Sequence, residues 1–131
     1  MENNKKFVIQ RHVRGNDIHW DLMLETGDVL ETYRLAVPPE KITAEPVEAV
    51  KIFDHPLKFL TYEGSVNKGK GTVEIADAGI YQILNKTGNR VDLQFAGKIL
   101  NGKFALNYIE KNRWELAVVS RGPDFPQGPV M

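Results

Sequence analysis

The chain has 131 residues, 42% hydrophobic and 26% charged, which is one domain of ordinary globular sequence and excludes disorder over most of its length. Its 17 basic and 17 acidic side chains cancel, so no general positive field draws it to nucleic acid and any such contact must come from a local patch. Cysteine is absent, which excludes disulfides and thiolate metal sites. The polar start at Met1–Lys6 and the lack of a bilayer-length apolar run point to a soluble, cytoplasmic protein without membrane contact.

Along the chain, short alternating segments separated by turn residues read as strands. Residues 7–11 form the first. Residues 18–25 form the clearest, with Ile18, Trp20, Leu22 and Leu24 on one face and His19, Asp21, Met23 and Glu25 on the other. The turn Thr26-Gly27-Asp28 leads into 29–35 and completes a hairpin. Further strands are expected at 49–53, 71–75, 80–84, 91–95, 104–108 and 114–119, with glycines between them. Helix is confined to single turns at 37–40 and 44–50. Such a run of short strands predicts an all-β fold, a small closed antiparallel barrel of about eight strands with short helical turns, because closure removes exposed strand edges. The domain is expected to span 1–120, with the Gly- and Pro-rich segment 121–131 as a flexible tail.

Three histidines, His12, His19 and His55, are the candidates for chemistry. His19 and Asp21 are two apart on a strand, so both side chains leave the face opposite the core, side by side. His12 lies just upstream and can fold back as a third ligand. Two imidazoles and a carboxylate suit a divalent ion such as manganese, iron or zinc, with positions left open for water or substrate. His55, displayed in Asp54-His55-Pro56, can serve as a ligand, a general acid or a donor to an anion. Trp20 and Trp114 occupy apolar strand positions and are assigned to the core rather than to base stacking. The 67–71 loop, Asn-Lys-Gly-Lys-Gly, can meet a phosphate backbone but lacks P-loop spacing.

A set of short blocks runs in order along the chain: Gln10-Arg11-His12, Ile18-His19-Trp20-Asp21-Leu22, Leu35-Ala36-Val37-Pro38, Asp54-His55-Pro56-Leu57, Tyr62-Glu63-Gly64, Gly69 with Gly71-Thr72-Val73, Gly102-Lys103-Phe104 and Trp114. Together they resemble the 3′-phosphoesterase domain of bacterial DNA ligase D and its stand-alone relatives. That resemblance implies a small β-barrel and manganese-dependent removal of a 3′-terminal ribonucleoside and then a 3′-phosphate from DNA or RNA ends. It implies His12, His19 and Asp21 as metal ligands, His55 as the phosphate-contacting catalytic histidine, and Gln10 as a further active-site residue. The implied partners are nucleic-acid 3′ ends and a separate ligase or polymerase in DNA repair.

The chain also departs from the family's pattern. Met23 stands where the family carries a phosphate-gripping arginine, Phe59 where it carries a tyrosine, Pro39 where it tends to place a lysine, and Phe53 where it usually has an acidic residue. The gap from His12 to His19 is one residue longer than usual. Arg34, on the partner strand of the hairpin and opposite Asp21 in one register, is a candidate to replace the missing clamp, with Arg14 as a second. Arg11, Lys51 and Lys58 are other local cations. The main alternative to a phosphoesterase is a degenerate binder of metal or nucleic-acid ends on the same fold. An iron oxygenase built on two histidines and a carboxylate is a third reading.

Overall fold

The computed structural model describes residues 4–122. Within them the strands are β1 (Lys5–Arg14), β2 (Asp17–Thr26), β3 (Val29–Leu35), β4 (Val47–Pro56), β5 (Gly64–Val66), β6 (Gly71–Lys86), β7 (Arg90–Gly97), β8 (Asn101–Glu110) and β9 (Arg113–Arg121). Two 3-10 turns, Pro39–Lys41 and Leu57–Leu60, flank β4. Every pairing is antiparallel in the order β1-β2-β3-β4-β9-β8-β7-β6, and β6 returns to pair with β1. The result is the expected closed eight-strand barrel, with the three-residue β5 added alongside β6.

Strict alternation fills the interior. Phe7 and Ile9 of β1, Leu22 and Leu24 of β2, and Tyr33 and Leu35 of β3 point inward to meet Tyr81, Leu93, Phe95, Phe104, Leu106 and Leu116 from the opposite wall. Phe95 is at the centre, edge-on to Phe7 at 4.8 Å and to Phe104 at 5.3 Å. Each such ring withdrawn from water contributes about 2–3 kcal/mol. Trp20 and Trp114 pack against this core, as their strand positions predict.

Two expectations change. The 44–50 helical turn is absent: Val47–Val50 instead begin β4 and pair with β9, Val47 opposite Leu116 and Ala49 opposite Trp114. Buried Ala49 and half-buried Val47 alternate toward the core, and that tertiary demand outweighs a weak local helical preference. The segments 71–75 and 80–84 are two halves of one 16-residue strand. A bulge lets it bend without stopping: Ile9 pairs with Asp77 and Gln10 with Ile75, leaving Ala76 as the extra residue. Beyond the bend Gly79 passes so close to β7 that a Cβ there would come within 2.2 Å of the Ala96 carbonyl oxygen. The segment expected as a tail lies outside the described residues from 123 onward, while Arg121 ends β9 and donates to the Ile42 carbonyl at 2.8 Å. No helix among the described residues is long and apolar enough to cross a membrane.

Asp77, buried just past the bulge, accepts the backbone N–H groups of Ala78, Lys98, Ile99 and Leu100 at 2.7–3.2 Å and so ties the β7–β8 turn to β6. Removing the carboxylate leaves buried donors without an acceptor. Asp77→Ala is expected to lower the unfolding free energy by about 3 kcal/mol in urea titration. A loss within measurement error would refute this anchoring role.

Candidate metal centre

The site forms on the outer face of the β1-β2-β3 wall. β1 and β2 turn through Gly15 and Asn16, with Gly15 at φ +61°, and the resulting register sets His12 opposite His19 and Gln10 opposite Asp21. β3 then places Arg34 directly opposite Asp21, the register in which its guanidinium reaches that carboxylate. His12 Nδ1 lies 2.9 Å from His19 Nε2, and His19 Nε2 lies 3.6 Å from Asp21 Oδ2. Arg34 donates from Nε to Asp21 Oδ1 at 3.2 Å. Asp21 is 3% exposed and His19 6%, so both groups meet each other largely without water between them.

The donor set fits a divalent ion. One ligand atom from each of His12, His19 and Asp21 falls within 4.8 Å of the others. Two nitrogens bound at right angles to an ion about 2.1 Å from each stand about 3 Å apart, which matches the separation of the two imidazoles. Asp17 Oδ2 lies 3.4 Å from His19 Nδ1, favouring the tautomer with its proton on Nδ1 and its lone pair on Nε2. Asp21 keeps Oδ2 toward the histidines while Arg34 occupies Oδ1. His12 Nε2 is buried without a hydrogen bond, against Gly71, where a Cβ would come 3.0 Å from that nitrogen. Glycine at position 71 thus leaves room for the His12 ring.

His55 arrives from β4. Its Nδ1 lies 2.9 Å from Thr32 Oγ1 and 3.1 Å from the Phe53 carbonyl oxygen. The carbonyl only accepts, and the Thr32 hydroxyl already donates to the Leu30 carbonyl at 3.0 Å. Both neighbours are met by a proton on Nδ1, which leaves the lone pair of the neutral ring on Nε2. Burial, opposed in part by Asp21, lowers the His55 pKa below its ordinary value. Burial and then His19 lower that of His12. A cavity of about 350 Å³ is lined by His12, His19, Asp21, His55, Arg14 and Arg34, so the residues predicted separately share one space.

Residues 10–108 match the family described as DNA Ligase D 3'-phosphoesterase domain. The chain belongs to that family. It is 32% identical over 126 residues to the multifunctional non-homologous end joining protein LigD of Mycolicibacterium smegmatis, covering 86% of this chain and 16% of that protein. Identity is 33% over 119 residues with the LigD of Mycobacterium tuberculosis, covering 82% and 15%, and 28% over 109 residues with that of Pseudomonas aeruginosa, covering 77% and 13%. The chain thus spans about one-sixth or less of the length of these relatives.

Against the pattern of the 3′-phosphoesterase family, the departures acquire physical meaning. Met23 is 1% exposed and packs in a second apolar cluster with Val8 and Leu30, under Leu57, Phe59 and Leu60. Gln10 uses both amide hydrogens to hold that cover, donating to the carbonyls of Phe59 at 3.0 Å and Tyr62 at 2.8 Å, while its Oε1 stays buried without a partner. Glu63 pins the same segment by accepting the Ile75 N–H at 2.8 Å. Other predicted cations turn elsewhere: Arg11 pairs with Glu74, Lys51 sits over Tyr33, and Lys58 over Phe59. Sequence reasoning passed over Asp17 and Thr32, and it met Gly71 only as part of a family block and a loop, not as the neighbour of His12. Asp17 was discoverable, since Asp-x-His-x-Asp extends the same strand face by one step. The contacts of Thr32 with His55 and of Gly71 with His12 carry no local signal, because each is made across strands.

Manganese titration followed by calorimetry is expected to detect binding that His19→Ala abolishes and Gly71→Ala weakens roughly tenfold, as the added methyl displaces His12. Unchanged affinity in both variants would remove the site. In the metal-free protein, His12 and His55 are held neutral with lowered pKa values, so the unfolded chain takes up their protons first as pH falls. Stability is then full above the ordinary histidine pKa and declines as pH falls through that value into the window between it and the lowered folded-state values. The melting temperature should fall over that window, and less steeply in His55→Gln.

Proposed function

We propose that this chain is a metal-dependent 3′-phosphoesterase that trims 3′-phosphate or 3′-ribonucleotide ends of nucleic acid in DNA repair by end joining. The observation that carries the reading is the convergence of His12, His19, Asp21, His55 and Arg34 on one cavity in a chain of the DNA ligase D 3′-phosphoesterase family. His12, His19 and Asp21 would hold the ion, with manganese the proposed metal and zinc or iron able to use the same donors. When bound, it supplies a Lewis acid for a phosphoryl oxygen and eases deprotonation of its water.

The remaining chemistry belongs to side chains. Hydrolysis of a 3′-phosphate joins a water oxygen to phosphorus, breaks the bond from phosphorus to the 3′ oxygen, and delivers a proton to that oxygen. His55 is suited to the proton's path: Thr32 and the Phe53 carbonyl hold Nδ1–H, and Nε2 takes up a proton and returns it to the leaving oxygen. Arg34, anchored to Asp21 through Nε, has its remaining guanidinium donors for the phosphoryl oxygens, the part that Met23 cannot fill. Arg14, exposed on the cavity wall, adds a second positive charge. Gln10 acts as a positioning residue by fixing the 57–62 segment over the site. Trimming leaves a 3′-hydroxyl, the end that a ligase or polymerase partner requires.

The competing reading is a binder of metal or nucleic-acid ends without turnover, favoured by Met23, whose burial among apolar side chains leaves no arginine-like group there. A primer-template ending in a 3′-phosphate or a single 3′-ribonucleotide, incubated with manganese, separates the two. Trimming is expected for wild type, undetectable in His19→Ala and lowered about a hundredfold in Arg34→Met. Metal binding without trimming of either end would favour the binder.

A further inference from the structure

We propose that Phe53 is the stacking platform for the base of the nucleotide whose 3′ end occupies the cavity. This deepens the phosphoesterase reading and rests on it. Among the described residues Phe53 is the most exposed large apolar side chain, at 73%, against 54% for the next, Val119. Scattered exposed apolar residues need no explanation, but this one lines the same cavity as the histidines and Arg34. Its ring lies flat on His55, with centroids 4.7 Å apart and planes 13° from parallel. His55 is held in turn by the edge of Phe59 at 5.8 Å and by Thr32. One face of Phe53 is therefore seated on a fixed imidazole and the ring is left largely open to water.

The backbone supports the same reading. Leu30 pairs with His55 and Thr32 with Ile52, so Phe53 and Asp54 together oppose Glu31 in a bulge of β4. Bulges re-aim side chains beside sites. A ligand that fills both parts of this cavity carries an anionic group for Arg34 and Arg14 and a flat ring for Phe53. A terminal nucleotide has both, joined through one ribose. Stacking accepts every base, because each has a π-face, so the platform gives affinity without sequence preference. A base on Phe53 has left the duplex stack, and unpaired or frayed 3′ ends are the substrate class this predicts.

The test measures binding separately from turnover. Short single-stranded DNA with a 5′ fluorophore and a 3′-hydroxyl, which leaves no terminal phosphate to hydrolyse, is titrated with protein and manganese by anisotropy. Its terminal residue is either thymidine or an abasic tetrahydrofuran. Wild type is expected to bind the thymidine end about tenfold tighter. Phe53→Ala should lose that preference and bind both ends at the abasic affinity, while Phe53→Tyr retains it. Equal wild-type binding of the two ends overturns the platform and leaves the phosphoesterase reading standing. An equal loss on both ends in Phe53→Ala also overturns it, making Phe53 a packing residue for His55. Failure of wild type to bind either end also overturns the platform, whereas the phosphoesterase reading stands or falls separately on trimming of the 3′-phosphorylated primer-template.

Discussion

The two-residue turn at Gly15 and Asn16 decides which side chains face each other across β1 and β2, and the site depends on that register. With His12 opposite His19 and Gln10 opposite Asp21, alternation sends all four outward while Phe7, Ile9, Leu22 and Leu24 go inward. A slip of one residue would exchange the two faces of β1, putting His12 in the core and Ile9 in the solvent-side patch. The hydrophobic cost of that exchange is several kcal/mol, so the barrel core itself enforces the meeting of the imidazoles.

A polar cluster on the outside of a barrel would ordinarily be solvated and its charges screened. Here the segment from Leu57 to Val66 lies over the wall, seated on Val8, Met23 and Leu30 and tied down by Gln10 and Glu63. That cover removes water from Asp21 and His19, which strengthens their coupling to Arg34 and to a bound cation. It also explains why burial is the leading cause of the lowered pKa of both His12 and His55. Met23 thus has a structural task, as part of the floor on which the cover sits.

The barrel supplies rigidity to this arrangement. His12, His19, Asp21, Arg34 and His55 all stand on strands, and each strand is gripped on its inner face by the aromatic core around Phe95. Sites borne on strands hold their geometry more closely than sites on loops. Buried Asp77 and the bulge at Ala76 give β6 the bend by which it closes against β1.

Period-two alternation was enough to read the barrel class, the β2–β3 hairpin and the outward face bearing His19 and Asp21, because strand geometry is local and repeats every two residues. The same local logic failed at 44–50, where pairing with β9 overrode a weak helical preference, and at 71–84, where a bulge joined two apparent strands. The ordered blocks were sufficient to indicate the family, and they named His12 and His55 as partners of the pair on β2. Sequence alone determined which donor side chains the chain has to offer, two imidazoles and a carboxylate on neighbouring strands with arginines nearby, since that follows from residue chemistry. Tertiary structure alone decided that His12 meets His19 at 2.9 Å, that Arg34 answers Asp21, that Thr32 sets the tautomer of His55, and that Phe53 stands open beside it. Those contacts join residues up to 23 positions apart across four strands, and the packing of the whole barrel, which no local pattern encodes, is what brings them together.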